Sequence, residues 1–342
     1  MTDLDDDVLV NELPHRPATI ADVAKLAGVA TSTVSRALTH PGRVSAATTK
    51  RVEEAAKSLS YTPSSQARSL TSGRTGTVAL VVPDIANPFY FDLIRGAQRQ
   101  LRAAGYAQVL VDTEESQEIE ADTIDLMRKS ADGVILVASR LDDDQLSEAA
   151  SRQPIVTINR DLAGVPSVII DTPSGVVQAL THLRSLGHQH VAYVGGPEGS
   201  WSSAHRWTAL SESAKSAGME LSFTGPWTPT SEAGAAAADA VTTGDASACI
   251  VFNDLLAIGM LQRFAERGIR VPEDISVVGT DDIFGSDFCH PPLTTVDAPI
   301  EEAGRAAVTM LLSRLDSQSR PRMRTVLPTY LRIRQSSGPA PA

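Results

Sequence analysis

From Thr77 onward, short apolar runs alternate with amphipathic helical stretches, and this alternation restricts the possible folds more than any other feature of the chain. The runs are typical of buried strands and begin at residues 77, 107, 133, 154 and 167, and again at 190, 248 and 275. Strands that alternate with helices form parallel sheets. Two series therefore predict two doubly wound α/β lobes within residues 77–334.

The boundaries of the two lobes follow from where the strand series stop and resume. We expect the first lobe to comprise about 77–170 with 297–317, and the second about 171–292 with 322–334. The end of the chain, 335–342, is rich in Ser, Gly and Pro and predicts a flexible tail. A ligand in such a fold binds at the carboxyl ends of the strands, in the cleft between the lobes.

The N-terminus and the cysteines bear on the location of the protein and on metal binding. No apolar run approaches the roughly 18 residues of a membrane helix, and MTDLDDDVLV is acidic where an export signal is basic. We therefore expect a cytoplasmic protein whose residues 1–15 form a disordered acidic tail. The two cysteines, Cys249 and Cys289, lack metal-ligand spacing, so we expect neither a metal nor another cofactor.

Charge is distributed unevenly along the chain. Residues 16–76 carry nine Lys and Arg against three acids, whereas residues 77–342 carry 21 against 33. A small basic module joined to a large acidic body indicates a partner with fixed negative charge. The alternative is a basic face that is merely solvated.

The segment TIADVAKLAGVATSTVSRAL, residues 19–38, contains two short helical patterns separated by a glycine. Thr19 and Asp22 form a capping box, and the apolar residues of the first helix are Ile20, Val23, Ala24 and Leu26. A third helix is predicted at about 45–59. Three short helices with a tight glycine turn predict a helix-turn-helix DNA-binding domain over residues 16–62.

The outward face of the second helix carries small hydroxyl side chains and one arginine. Small hydroxyls allow the backbone to approach base edges, and an arginine pairs with guanine in the major groove. The expected DNA contacts in this domain are Thr19, Thr31, Ser32, Thr33, Ser35, Arg36 and Ser45. The alternative is a three-helix bundle with a hydroxyl-rich surface.

This run, continued by VSAATTKRVEEAAKSLSYTPSSQARSL, resembles the N-terminal signature of the lactose-repressor (LacI) family of bacterial transcription regulators, and within it a ribose/purine-type branch. The resemblance implies a hinge helix and linker over residues 63–76. In that family two hinge helices meet over the minor groove of the operator, and the roles fall here on Ala67, Arg68 and Leu70. Operator binding as a homodimer follows from the same resemblance.

The physics of the hinge agrees with this role. A helix over residues 64–70 has about two turns, and isolated helices below about 12 residues are marginal in water. It therefore needs a partner in order to fold. Leu70 suits a wedge that unstacks a base step. The competing interpretation is a plain Pro- and Ser-rich spacer.

Polar and aromatic residues recur at the predicted carboxyl ends of strands. Aromatic faces, amides, acids and arginines in that position suit a polyhydroxylated ring, although Asn and Asp after strands also commonly make turns and helix caps. The candidate effector contacts are Asn87, Phe89, Tyr90, Asn159, Arg160, Asp171, Arg206, Trp227, Asn253 and Asp281. The resemblance assigns effector contact to the same regions and includes similarity to periplasmic pentose-binding proteins.

These features predict an effector-responsive DNA-binding regulator, a repressor of a sugar or nucleoside uptake or catabolism operon with a palindromic operator. A pentose or nucleoside is favoured as effector, and a hexose or nucleobase stays open. The alternative is a solute-binding protein of a sugar transporter, which predicts an export signal and no helix-turn-helix. An enzyme is disfavoured, since PDIANPFY after the first strand is no phosphate loop and no catalytic residues emerge.

Overall fold

The computed structural model describes residues 18–39, 42–61, 74–316 and 324–341. Within these ranges the chain divides into two compact units, one ending at Thr75 and one beginning at Gly76. The predicted acidic tail at 1–15 and the predicted hinge helix lie outside the described residues.

The first unit consists of three helices, α1 (Ile20–Ala27), α2 (Thr31–Thr39) and α3 (Ala46–Ser58). Both halves of the predicted capping box form, because the Thr19 hydroxyl accepts from the Asp22 amide while the Asp22 carboxylate accepts from the Thr19 amide. Gly28 ends α1 with φ of 62°, a left-handed conformation that favours glycine. The prediction of a helix-turn-helix is confirmed.

One apolar residue of α1 lies on the opposite side from its expected position. The sequence pattern places Leu26 on the inward face, but 56% of its surface is exposed. Val23, Ala24 and Ala27 are buried instead. Successive helical residues are about 100° apart, so residue 27 continues the inward stripe at i+4 from residue 23 and residue 26 does not.

The second unit contains two six-stranded sheets. The strands of the first sheet are β1 (Thr77–Val82), β2 (Ala107–Asp112), β3 (Gly133–Val137), β4 (Ile155–Ile158), β5 (Ser167–Ile170) and β11 (Arg324–Leu327). Those of the second are β6 (His190–Val194), β7 (Glu220–Thr224), β8 (Ala248–Val251), β9 (Ser276–Asp281), β10 (Thr294–Asp297) and β12 (Tyr330–Arg332). Their orders are β11-β5-β4-β3-β1-β2 and β12-β10-β9-β8-β6-β7.

Helices cover both faces of each sheet. The first lobe carries α4 (Phe89–Ala103), α5 (Gln117–Met127), α6 (Asp143–Arg152) and α11 (Ile300–Asp316), and the second carries α7 (Thr172–Ser185), α8 (Trp201–Ala217), α9 (Gly234–Val241) and α10 (Asp254–Glu266). In β1, Leu80 belongs to the core under α4 and α11, whereas Val81 belongs to the core on the other face. Strands buried on both faces read as continuous apolar runs, which is why these were found from the sequence.

All neighbouring strands are parallel except β10 and β12. This topology confirms the predicted fold class, a helical domain followed by two doubly wound α/β lobes. Among the described residues, no helix is both long and apolar enough to cross a membrane.

The lobe boundaries differ from the prediction near the end of the chain. The sequence pattern assigns residues 322–334 to the second lobe, but β11 pairs with β5 of the first sheet and only β12 belongs to the second. The chain thus passes between the lobes after β5, after β10 and after β11. Short edge strands contribute few apolar residues, so the pattern alone did not divide this segment.

The predicted flexible tail is also different in the structure. Ser336 is fully buried. Its backbone carbonyl accepts a hydrogen bond from the Val277 amide, and its hydroxyl donates to the Val277 carbonyl at 2.6 Å. Gly338 accepts from the buried ring of His188 at 3.1 Å, and burial lowers the pKa of that imidazole. Residues 335–341 therefore pack along the second lobe through polar contacts that composition does not reveal.

Candidate functional site

The second helix of the N-terminal unit presents the residues predicted to contact DNA. Thr31, Ser32 and Arg36 are exposed, and Thr33 and Ser35 are half-buried. Val34 and Ala37 point into the core of the unit, which fixes the orientation of the helix. The resulting surface has the small hydroxyls and the single arginine that major-groove recognition requires.

Two further predicted DNA contacts begin helices. Thr19 caps α1, and the Ser45 hydroxyl accepts from the Thr48 amide at the start of α3. A capping hydroxyl that also faces phosphate is compatible with both roles, since helix N-termini bind anions. Ala67, Arg68 and Leu70 lie outside the described residues, so their roles remain predictions.

A cavity lies between the two lobes, and we call it the interlobe cavity. From the first lobe it is lined by Asn87, Phe89, Tyr90, Glu115, Ala138, Arg140 and Asn159, and from the second by Ser200, Ser202, Arg206, Pro229, Phe252, Asn253 and Asp281. Every one of these residues lies at or just beyond the carboxyl end of a strand, or in the helix or loop that follows. Seven of them belong to the predicted effector contacts.

Backbone strain is concentrated around this cavity. In the described part of the second unit, the non-glycine residues with positive φ are Glu114, Glu115, Ala138, Asn159, Asp281 and Asp282. All six follow or end strands β2, β3, β4 and β9, and four of them line the interlobe cavity. Left-handed conformations of such residues cost on the order of 1 kcal/mol each and cluster at ligand-binding sites.

The second lobe contributes an acid and an arginine. Asp281 is 7% exposed, and its carboxylate accepts no hydrogen bond from the described residues. Burial raises the pKa of this carboxyl well above its ordinary value, while nearby Arg206 acts in the opposite direction. Asp281 is therefore an acceptor that faces the cavity without a protein donor.

Arg206 is held firmly in place. Its Nε donates to the Thr172 hydroxyl at 2.8 Å, its Nη1 donates to the Phe252 carbonyl, and its guanidinium lies 5.0 Å from the centroid of the Phe252 ring. Asn253 is fixed as well, with its side-chain oxygen accepting from Leu256 and its nitrogen donating to Pro229. These contacts leave the second-lobe wall rigid.

The first lobe contributes two amides and a phenol. The side-chain oxygens of Asn87 and Asn159 accept from the amides of Phe89 and Ile170, so each amide nitrogen is left as a donor. Burial, reinforced by the carboxylate of Glu115, raises the pKa of the Tyr90 phenol, which therefore stays protonated. The first-lobe wall thus supplies neutral donors beside two aromatic rings.

Three predicted effector contacts do not line the interlobe cavity. Asp171 caps its own helix by accepting from the amide and hydroxyl of Ser174. Arg160 donates to the Leu141 carbonyl and to Asp143 at 2.7 Å. Trp227 packs against the core of the second lobe. Local capping and ion pairing take the first two side chains away from the cavity.

Several lining residues were not predicted. Glu115, Ala138 and Arg140 follow β2 and β3, and Ser200, Ser202, Pro229 and Phe252 come from the second lobe. The rule that polar residues at strand ends form the site applies equally to the segments DTEES and ASRLD, and it could have identified Glu115 and Arg140. Pro229 lies in the loop after β7, and its side chain has no polar group that would mark it as a ligand contact.

Two family models match the chain. Residues 19–64 match the model of bacterial regulatory proteins of the lacI family, and residues 180–337 match a periplasmic binding protein-like domain. The HTH-type transcriptional repressor CytR of Escherichia coli (strain K12) is 33% identical over 309 residues, which are 88% of this chain and 91% of that protein.

Solved structures agree with the same relationship. A lac repressor dimer bound to operator and an anti-inducer superposes with a TM-score of 0.83 at 26% identity, covering 94% of this chain and all of that one. A LacI family transcriptional regulator from Enterococcus faecium with bound ribose superposes with a TM-score of 0.69 at 26% identity, over 77% of this chain and 99% of that one.

Proposed function

Because the chain belongs to the lacI family of bacterial regulatory proteins and is a DNA-binding transcriptional regulator of the repressor type, we propose that its interlobe cavity binds a pentose or nucleoside effector. The regulator's helix-turn-helix unit precedes the α/β body in the chain. An effector that binds the body would then control the affinity of this unit for its operator.

The observation that supports this proposal most is the chemistry of Asp281. A buried carboxylate without a protein donor is costly unless a ligand supplies one. Adjacent hydroxyls of a sugar ring are such donors, and Phe89, Tyr90 and Phe252 offer faces for its apolar C–H groups. The bound ribose of the Enterococcus faecium regulator is consistent with this chemistry.

The size of the cavity indicates how binding could be linked to regulation. Its volume is about 40 Å³, which is space for only a few water molecules. A sugar ring needs more room than this, so we infer that the lobes adjust around the ligand as it enters. Three chain segments connect the lobes, and such movement would alter the geometry of the first lobe relative to the second.

A calorimetric titration with pentoses, nucleosides and hexoses tests the proposal. The wild-type protein should bind at least one pentose or nucleoside, and Asp281→Ala should abolish that binding. Asp245→Ala, which changes an exposed loop acid of the same lobe, is the matched control and should bind normally. Unchanged ligand affinity in Asp281→Ala would contradict the assignment of the cavity.

Operator binding as a homodimer is the second part of the proposal. The lac repressor of similar fold was solved as a dimer on its operator, and two copies of a helix-turn-helix match a palindromic site. Phe284 and Phe288 are 79% and 64% exposed and pack edge to face. An exposed aromatic pair of this kind suits a contact with a second copy.

A second candidate for the partner face is the surface of α4 over residues 91–101, and it is only partly free. Leu93 and Leu101 are buried within the first lobe, while 46% of Phe91 is exposed. Sedimentation of the variant Phe284→Ser/Phe288→Ser should show a shift toward monomer. An operator-binding assay should show weaker binding by the same variant. Leu126→Ser, which changes an exposed leucine on α5, should sediment as the wild type does.

A further inference from the structure

Glu115 and Arg140 form an ion pair on the first-lobe wall of the interlobe cavity. Glu115 follows β2 and Arg140 follows β3, on either side of the end of β1. Nε of Arg140 donates to Oε2 of Glu115 at 2.7 Å, and Nη2 lies 2.5 Å from the same oxygen. The arginine side chain is 10% exposed and the glutamate side chain 23% exposed. The pair is therefore partly desolvated and neutral as a unit.

The hydrogen bonds of Arg140 all stay within the protein. Besides the two contacts to Glu115, Nη1 donates to the Ala138 carbonyl at 3.0 Å. The backbone amide of Arg140 donates to the buried carboxylate of Glu120 at 2.8 Å, which anchors the residue from behind. Each of the three guanidinium nitrogens thus has a protein acceptor, and the Nε–Nη2 edge that would grip a phosphate or carboxylate is taken by Glu115.

Glu115, in contrast, keeps one oxygen for a ligand. Its Oε1 accepts no hydrogen bond from any part of the chain that the structure describes, although the residue lines the cavity. With Asp281 on the opposite lobe, the cavity presents carboxylate acceptors from both sides. A ligand that meets them must bring hydroxyl or amino donors.

The arginine of the second lobe is largely engaged by its own lobe. Arg206 is already bonded to Thr172 and Phe252 and stacks on the Phe252 ring. An anionic ligand entering the cavity would meet the Glu115 and Asp281 carboxyl groups, while the guanidinium of Arg140 is committed to Glu115 and Ala138 and that of Arg206 donates from Nε and Nη1 to its own lobe. Like-charge contacts of this kind are a common means of rejecting a wrong ligand.

We propose that the Glu115–Arg140 pair determines the charge of the effector, selecting an uncharged hydroxyl- or amino-bearing ligand and rejecting its phosphate ester. Glu115 contacts the ligand, and Arg140 is a positioning residue that holds the carboxylate and balances its charge. The inference rests on the proposed function, because it concerns the ligand of the same cavity.

Glu115→Gln tests the pair directly. The substitution keeps the shape of the side chain but removes the charge, which leaves the Arg140 guanidinium without a counter-ion in the cavity. The wild type should bind D-ribose or adenosine in preference to ribose 5-phosphate or AMP. In Glu115→Gln the ratio of the two affinities should move toward the phosphate ester by about tenfold or more.

Three further variants isolate the cause. Glu115→Gln/Arg140→Gln removes both charges and should return the ratio toward that of the wild type. Asp161→Asn, which breaks the ion pair with Arg324 on the first lobe outside the cavity lining, should leave the ratio unchanged. Circular dichroism checks that each variant is folded, and Arg140→Met, which bares the carboxylate, should disfavour the phosphate esters further.

The outcomes separate the inference from the proposed function. If the wild type binds no neutral sugar or nucleoside, the proposed function is wrong. The pair is then still tested by inorganic phosphate, which should stabilise Glu115→Gln in a thermal-shift assay more than it stabilises the wild type. Equal phosphate preference in the wild type and in Glu115→Gln, or a wild type that favours phosphate esters, overturns the inference.

Discussion

The carboxylate of Asp254 accepts a 2.6 Å hydrogen bond from the hydroxyl of Thr295, which joins the start of α10 to the strand through which the chain leaves the second lobe. The same carboxylate accepts from the Ser286 hydroxyl at 2.7 Å and from the Ile283 amide at 3.0 Å. Asp254 is fully buried. One side chain therefore fastens the segment after Asp281 to two elements of its lobe.

Asp254→Ala should lower the free energy of unfolding by about 2–4 kcal/mol, because two hydroxyls and an amide lose their buried acceptor. Chemical denaturation at neutral pH measures the change. Asp161→Asn removes a more exposed ion pair with Arg324 and serves as the control, with an expected loss below about 1 kcal/mol. Equal losses in the two variants would contradict a structural role for the buried carboxylate.

The same residue predicts how stability depends on pH. Burial raises the pKa of the Asp254 carboxyl from 3.8 to about 7. Between these two values the folded protein retains a proton that the unfolded chain has lost, so the contribution of Asp254 to stability falls as pH rises from about 4 to 7 and is constant above. Relative to Asp254→Asn, the wild type should lose a few kcal/mol over this window, measured by denaturation at each pH. A difference that stays constant or grows with pH would refute the assignment.

Asp281 predicts a pH dependence of ligand binding with the opposite sign. Its carboxyl accepts ligand donors best when ionised, and burial raises its pKa well above 3.8. Effector affinity should therefore weaken as pH falls, and the decline should begin at a higher pH than for an ordinary aspartate. Calorimetric titrations across the pH range check this. In Asp281→Asn, where nothing titrates at this position, the dependence should be lost.

The left-handed backbone conformation of Ala138 predicts that glycine at this position relieves backbone strain at the cavity. The φ of 48° at Ala138 is one that glycine adopts without steric cost. Ala138→Gly should raise the free energy of unfolding by up to about 1 kcal/mol. Ala204→Gly, at an exposed position within α8, should instead lower it by about 1 kcal/mol. Thermal unfolding of both variants gives the comparison, and destabilisation by Ala138→Gly would show that the strain is absent.

The role inferred for Leu70 predicts that its substitution changes operator binding and no other property. Leu70 lies outside the described residues, and its role comes from the hinge sequence YTPSSQARSL and the family to which the chain belongs. Leu70→Ala should weaken operator binding by a few kcal/mol at most, because a smaller side chain unstacks the central base step less well. Ligand binding should be unchanged. Equal operator affinity, measured by fluorescence anisotropy at one salt concentration, would remove the wedge from the mechanism.

Much of the site could be predicted because parallel strands bring their carboxyl ends to one edge. Asn87, Asn159 and Asp281 each follow or end an apolar run, and the rule placed them in one cleft, where the structure has them. The same rule included Asp171 and Arg160, whose side chains bind within their own lobe. A strand-end position determines where a Cα lies, but competing local hydrogen bonds determine where the side chain points.

The sequence pattern does not predict the order of the strands in a sheet. Glu115 and Arg140 are 25 residues apart in the chain and meet only because β2 and β3 flank β1. The short strands β7, β11 and β12 are partly exposed at the sheet edges, so none shows the apolar run that identified the central strands.

The sequence by itself determined the helix-turn-helix, the two-lobe architecture and the region of the ligand cleft, because capping, helical periodicity and buried apolar runs are local properties. Only the tertiary structure decided that Glu115 neutralises Arg140, that Asp254 fastens three segments together and that Ser336 is buried. Each of these depends on contacts between residues far apart in the chain, and no local pattern records which distant partner a charged or polar side chain will meet.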